Sequence, residues 1–197
     1  MSAIVLASGS AIRREILENA GLCVDIVRPD VDETAIKTAQ TNNGTNPADI
    51  ALILAETKAL AGDQNNGNLV IGADQILAFD GKAFDKPTSM EEARTRLLAM
   101  QGNYHELLNG VAVAKHGEII FRAKNTVTLH MRKMSVVEID TYLDAAGTDI
   151  LSSVAAYQVE KLGARLFERI DGDYFSVLGL HLFPLLQFLR DQKAISF

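Results

Sequence analysis

Two long strand signals, Tyr104 to Ala114 and Glu118 to Met131, meet at Lys115-His116-Gly117, and they constrain the fold more than any other stretch. A turn this short joins antiparallel neighbours, because parallel strands need a crossover of a dozen or more residues. Asp80-Gly81 is a second hairpin turn, between Ile76–Phe79 and an arm that returns through Phe84-Asp85 to Lys86-Pro87. Helices alternate with the remaining strands. Ile4 to Leu6 reads as a strand, Ser8-Gly9-Ser10 as a turn, and Ile12, Ile16, Leu17 and Ala20 recur at helical spacing until Gly21. Cys23 to Val27 is a short strand stopped by Pro29, and Thr38 to Thr45, with Asn42-Asn43-Gly44, reads as a loop. Asn46-Pro47 opens a helix to about Ala61. Leu69-Val70-Ile71 is a buried strand that ends at Gly72-Ala73-Asp74-Gln75 and resumes at Ile76. Ser89 with Glu92 and Ser135 with Glu138 are capping boxes for helices reaching about Met100 and Gly147. Ala155 to Val159 and Ala164 to Ile170 are short strands, Asp171-Gly172-Asp173 is a turn, and a last helix lies near Leu182 to Asp191. This mixture implies an α/β (mixed α+β) fold, partly antiparallel.

A chain of 197 residues buries a sizeable core as one domain, or as two lobes around a cleft. Apolar content of 48% with 22% charged residues is ordinary for a soluble globular protein. Net charge is −6 and the pI near 5.2, which disfavours a broad grip on nucleic acid, so any phosphate binding is local. The single cysteine, Cys23, excludes an internal disulfide and reads as a buried small hydrophobe between Leu22 and Val24. There is no secretory signal and no run near the ~20 apolar residues of a membrane span, so the expected location is cytoplasmic with no membrane partner.

Three clusters can carry chemistry. At the first strand-to-helix turn, Ser8, Gly9 and Ser10 allow close approach to free backbone N–H groups, while Arg13 and Arg14 add charge one turn in. This pattern suits a polyphosphate; taken alone it more often marks a plain helix cap whose arginines face water. Asp30-Val31-Asp32-Glu33 is an acidic run that can bind a cation or simply be solvated. Asp74, at or just past the end of a core strand, can ligate a divalent cation or activate water, with Lys86 before Pro87 as a point charge; the plain alternatives are a turn carboxylate and an exposed loop. Lys58 reads first as a surface residue of its helix. Four scattered histidines lack metal-ligand spacing, and no P-loop, dinucleotide or serine-hydrolase motif is present.

In order and spacing the chain resembles the Maf family of nucleoside triphosphate pyrophosphatases. The matching residues are Leu6-Ala7-Ser8-x-Ser10 with Arg13, Asp30-Val31-Asp32-Glu33, Lys58-Ala59, Gly72-Ala73-Asp74, Lys86-Pro87 and Gly102 with His105. They continue with Phe167-Glu168-Arg169-Ile170-x-Gly172 and Val177-x-Gly179-Leu180. The resemblance implies a single Maf-like domain over 1–197, of the Maf and inosine triphosphatase type, with an elongated mixed sheet flanked by helices and two lobes around a central cleft. It implies hydrolysis of a nucleoside triphosphate to monophosphate and pyrophosphate with Mg²⁺ or Mn²⁺, often by a homodimer. Ser8, Arg13, Lys58 and Lys86 would hold the triphosphate, with Gly9, Ser10 and Arg14 beside them, and Glu33 and Asp74 would handle metal and water, Asp74 as base. Ala11 and Ile12 depart from the family, which usually has Pro and often Arg there.

Members selective for pyrimidine nucleotides commonly have Asp-Thr where this chain has Asp74-Gln75, and Gln in a run that here reads Ala156-Tyr157-Gln158-Val159-Glu160-Lys161. Gln75 and Glu160 resemble instead the branch acting on 7-methyl-GTP. A carboxylate such as Glu160 accepts two hydrogen bonds and matches the donors of guanine's Watson–Crick edge; it can also simply pair with Lys161 or Arg165. The alternatives are a dTTP/UTP pyrophosphatase and a nucleotide-binding regulator of cell division without turnover.

Overall fold

The computed structural model describes residues 3–197. The elements in order are β1 (Ile4–Ala7), α1 (Ala11–Asn19), β2 (Val24–Val27), α2 (Glu33–Asn42), α3 (Pro47–Gly62), β3 (Leu69–Phe79), β4 (Lys82–Phe84) and α4 (Met90–Met100). Then follow β5 (Tyr104–Lys115), β6 (Glu118–Met131), α5 (Val136–Ala146), two 3₁₀ turns (Gly147–Ser152 and Leu162–Leu166), β7 (Phe167–Asp171), α6 (Tyr174–Val177) and α7 (Leu182–Asp191). The seven strands form one sheet in the order β2-β1-β3-β5-β6-β7, with β4 paired to β3. Pairing is parallel for β1 with β2 and with β3, and antiparallel for β3 with β4 and β6 with β7. The fold is therefore mixed α/β, as the turns implied. No helix among the described residues is long and apolar enough to cross a membrane.

The chain divides into two compact units. The first comprises the chain up to Gln75, Leu108–Asn125 and Gly179–Phe197; the second comprises Ile76–Leu107 and Thr126–Leu178. In the first, the face of β1, β3 and β5 beneath α3 is built from Val5, Ala7, Val70, Ala112 and Ala114 against Ala55 and Ala59. Small residues there let helix and sheet approach closely. In the second, Leu77, Leu97, Met100, Leu107, Leu129 and Ile139 are among the buried residues of a separate core. Ser135 and Glu138 cap α5 reciprocally, while Ser89 accepts from the Glu92 backbone and the Glu92 carboxylate turns to the Thr88 backbone N–H.

Five local expectations are corrected. The strand expected over Ala164 to Ile170 begins only at Phe167, because Leu162–Leu166 is a 3₁₀ turn. Thr38–Thr45 is mostly helix: Asp32 caps α2 by accepting from the Ala35 N–H at 2.9 Å, and because α2 buries no residue it carries no apolar period to read. β3 runs unbroken through Gly72–Gln75, because Gly72 marks a close backbone approach and not a strand end. Ala155–Val159 is not a strand; the buried run turns at Ser153–Ala156, with Ala156 at φ +59°. Cys23 is exposed, since Leu22 takes the inward position just before β2, which lies at the end of the strand order.

Candidate active site

Asp74 and Lys58 are brought together by the packing of α3 on β3. The buried residues of α3 include the file Ile50, Leu54, Lys58 at four-residue spacing, so Lys58 continues an apolar file and faces the sheet. The parallel file Ala51, Ala55, Ala59 is the seating surface. A Cβ on Gly72 of β3 would lie 2.0 Å from the Ala55 carbonyl oxygen, and one on Gly110 of β5 would lie 2.4 Å from that of Ala51. Two glycines thus clear the ground on which α3 rests. Asp74, two residues along from Gly72, leaves the same face of β3. Its Oδ1 accepts a hydrogen bond of 2.7 Å from Lys58 Nζ, and the same ammonium lies 2.9 Å from Glu33 Oε1 at the start of α2. Asp74 and Lys58 are buried at 5% and 8% exposure, whereas the Glu33 side chain is 43% exposed.

Arg13 is held from three sides. Its Nε donates to the Gly179 carbonyl at 2.8 Å, and its Nη1 donates to the Ala73 carbonyl at 2.8 Å and to Ser8 Oγ at 3.3 Å. Burial pushes the guanidinium pKa down, and the charges of Asp74 and then Glu33 oppose that shift; Arg stays protonated. Gly179 has φ +95°, a conformation that favours glycine, and a Cβ there would meet Arg13 Nη2 at 3.4 Å. Ser10 caps α1 through the Arg13 N–H, and the Ser10 N–H donates to Ser8 Oγ.

Arg14 faces water and pairs with Glu18 four residues on, a contact worth little. Gly9 is exposed, and an added Cβ would meet only the Arg28 side chain at 3.5 Å. Gln75 follows Asp74 on the strand and leaves its other face; its Nε2 donates to Asn109 Oδ1 at 3.1 Å, and its Oε1 would lie 3.6 Å from a Cβ on Gly179, beside Arg13. Lys86 and Glu160 belong to the second unit, and both are exposed.

The family model described as Maf-like protein matches residues 3–192. The chain belongs to the Maf-like family. A nucleoside triphosphate pyrophosphatase of Bradyrhizobium diazoefficiens is 46% identical, covering 99% of this chain and 96% of its own. A 7-methyl-GTP pyrophosphatase of Mesorhizobium japonicum is 42% identical over 98% of each chain. Among solved structures, the Staphylococcus aureus Ham1 protein covers 66% of this chain and 72% of its own at 21% identity and a TM-score of 0.42, a likeness too loose to bear on function.

The cluster of this Maf-like chain also fits a divalent cation. Asp74 Oδ2 is buried with no hydrogen-bond partner among the described residues, so one oxygen of a carboxylate that shares Lys58 with Glu33 is unsatisfied. Among the described residues no group of three or more His, Cys, Asp or Glu is placed to hold a metal ion. A pair of carboxylates suits Mg²⁺, which takes one or two and fills its remaining positions with water and phosphate oxygens. Sequence reasoning missed the Ala73 and Gly179 carbonyls that fix Arg13, and Gly72 and Gly110 that seat α3. The only signal for the two strand glycines was their place inside otherwise apolar strands.

Proposed function

We propose that this chain hydrolyses a nucleoside triphosphate between its first two phosphorus atoms, releasing the monophosphate and pyrophosphate, with Mg²⁺ or Mn²⁺ held by Asp74 and Glu33. The observation that carries this reading is a guanidinium fixed by two backbone carbonyls beside a buried carboxylate with one oxygen unsatisfied. Relatives bearing the pyrophosphatase name over nearly the full length support it.

Each residue has a task under this reading. Arg13, with Nε and Nη1 engaged, presents its remaining donors to phosphate oxygens, and the fixed ring of partners lowers the ordering cost of that contact. Ser8 keeps Arg13 in line and, with Ser10, places the first turn of α1 and its positive dipole end toward the anion. When bound, the divalent cation neutralises phosphate charge and makes water a better nucleophile. The Asp74 carboxylate, through the oxygen the cation leaves free, takes the proton of the attacking water as the water oxygen bonds to the first phosphorus and the bridging oxygen departs with pyrophosphate. Lys58 bridges both carboxylates and then lends its charge to the triphosphate.

For the base, the reading is 7-methyl-GTP. It is supported by the name of the Mesorhizobium relative and by a carboxylate at Glu160 that can accept from a guanine-type edge. A panel of 7-methyl-GTP, GTP, dTTP and UTP with Mg²⁺, assayed for pyrophosphate and orthophosphate, tests both levels. Equal amounts of pyrophosphate and monophosphate, with the highest kcat/KM for 7-methyl-GTP, is the expected result. Preference for dTTP or UTP corrects the base alone, and orthophosphate as sole product, or no product, overturns the reaction.

A further inference from the structure

Lys58 Nζ touches both carboxylates assigned to the cation, at 2.7 Å to Asp74 Oδ1 and 2.9 Å to Glu33 Oε1. It is 8% exposed, so water does little to screen it. An ammonium and a dication drawn to the same two side chains repel each other, and the repulsion grows as the local dielectric falls. Yet Asp74 Oδ2 remains buried and unpartnered among the described residues. Lys58 satisfies half of that carboxylate and leaves the other half without a partner.

We propose that Lys58 is a placeholder cation. In the nucleotide-free protein it occupies the metal carboxylates and keeps divalent cations weakly bound, and it yields them when a triphosphate offers its ammonium other oxygens. The inference rests on the cation assignment under Proposed function. By linkage, whatever draws Lys58 away raises cation affinity, and the cation in turn raises triphosphate affinity by the same factor. Cation and nucleotide then load together. The side chain suits this task. Lysine is a compact charge on a flexible stem, so Nζ can swing while the backbone of α3 stays seated against Gly72.

The test is Mn²⁺ binding to the nucleotide-free full chain, read by the electron paramagnetic resonance signal of free Mn²⁺. Wild type, K58M, K58Q, K58R and D74N are compared. K58M and K58Q are expected to bind Mn²⁺ about tenfold tighter than wild type, since the competing charge is gone. K58R, which keeps the charge, should match wild type, and D74N should bind more weakly. Structural damage alone does not tighten a site, so the direction separates this role from a packing one. Mn²⁺ should also raise the Tm of K58M more than that of wild type. If K58M and K58Q bind no tighter than wild type while D74N binds more weakly, the placeholder role is overturned and the cation assignment survives. If none of the proteins binds Mn²⁺, or D74N binds as wild type does, both fall.

Discussion

Replacing Gly72 by alanine tests how the site is built. The new Cβ would sit 2.0 Å from the Ala55 carbonyl oxygen and 2.6 Å from the Ala59 amide nitrogen, both backbone atoms of α3. Ordinary contact begins near 3.4 Å, so helix or strand must retreat by about 1.4 Å. No side-chain rotamer relieves a backbone clash, which places the cost at the upper end of overpacking, about 3 kcal/mol. For a chain of this size that is a Tm lower by about 6–12 °C. The same retreat displaces the α3 backbone that carries Lys58, whose Nζ is 2.7 Å from Asp74 Oδ1, and loosens that pair. A misplacement of about 1 Å in a site of this kind lowers kcat/KM by about 10²-fold. Gly110→Ala is the matched comparison: its Cβ would meet Ala51 and Leu52, about two turns before Lys58, so stability should fall comparably and activity less. The assays are thermal unfolding and initial rates of pyrophosphate release. A Gly72→Ala protein that melts and turns over like wild type would refute the seating of α3 on β3, and with it the explanation of the Lys58–Asp74 pair.

Two further outcomes follow from other parts of the molecule. Glu160→Gln should lower the ratio of kcat/KM for 7-methyl-GTP over UTP, measured as competing substrates, because an amide presents one acceptor where the carboxylate had two; an unchanged ratio means the base is read elsewhere. His105 lies in the second unit, its Nε2 2.6 Å from the Tyr157 hydroxyl, and burial, with a smaller contribution from His130, holds its pKa down to about 4. A histidine depressed in the fold is stabilising as the neutral ring. That contribution is complete above about pH 6.5 and is lost as pH falls toward 4, about 3 kcal/mol in all. Wild type should therefore lose more stability between pH 7 and pH 4.5 in denaturant titrations than His105→Gln, and parallel curves would exclude His105 as the cause.

Much of the fold was legible because its signals are local. The Asp80-Gly81 hairpin, the Ser135–Glu138 box and the Asn46-Pro47 helix start each need only neighbouring residues, and each stands in the structure. Helix α2 was illegible for the converse reason, since it buries nothing and so shows no period. Gly72 was read as punctuation because sequence cannot distinguish a glycine that ends a strand from one that admits a helix. In the site, Lys58 read as a surface residue although it continues the buried Ile50–Leu54 file, and its partner Asp74 is fixed only by tertiary packing. Arg13 is held by the carbonyls of Ala73 and Gly179, 60 and 166 residues away, and a backbone carbonyl leaves no mark in a sequence.

The central claim is that the buried Asp74 carboxylate drives nucleotide cleavage at this cluster, and Asp74→Asn addresses it without changing the side chain's size. Pyrophosphate release from the preferred triphosphate should fall by about 10³-fold, while the variant still binds the nucleotide in equilibrium dialysis. Release at the wild-type rate would contradict the account.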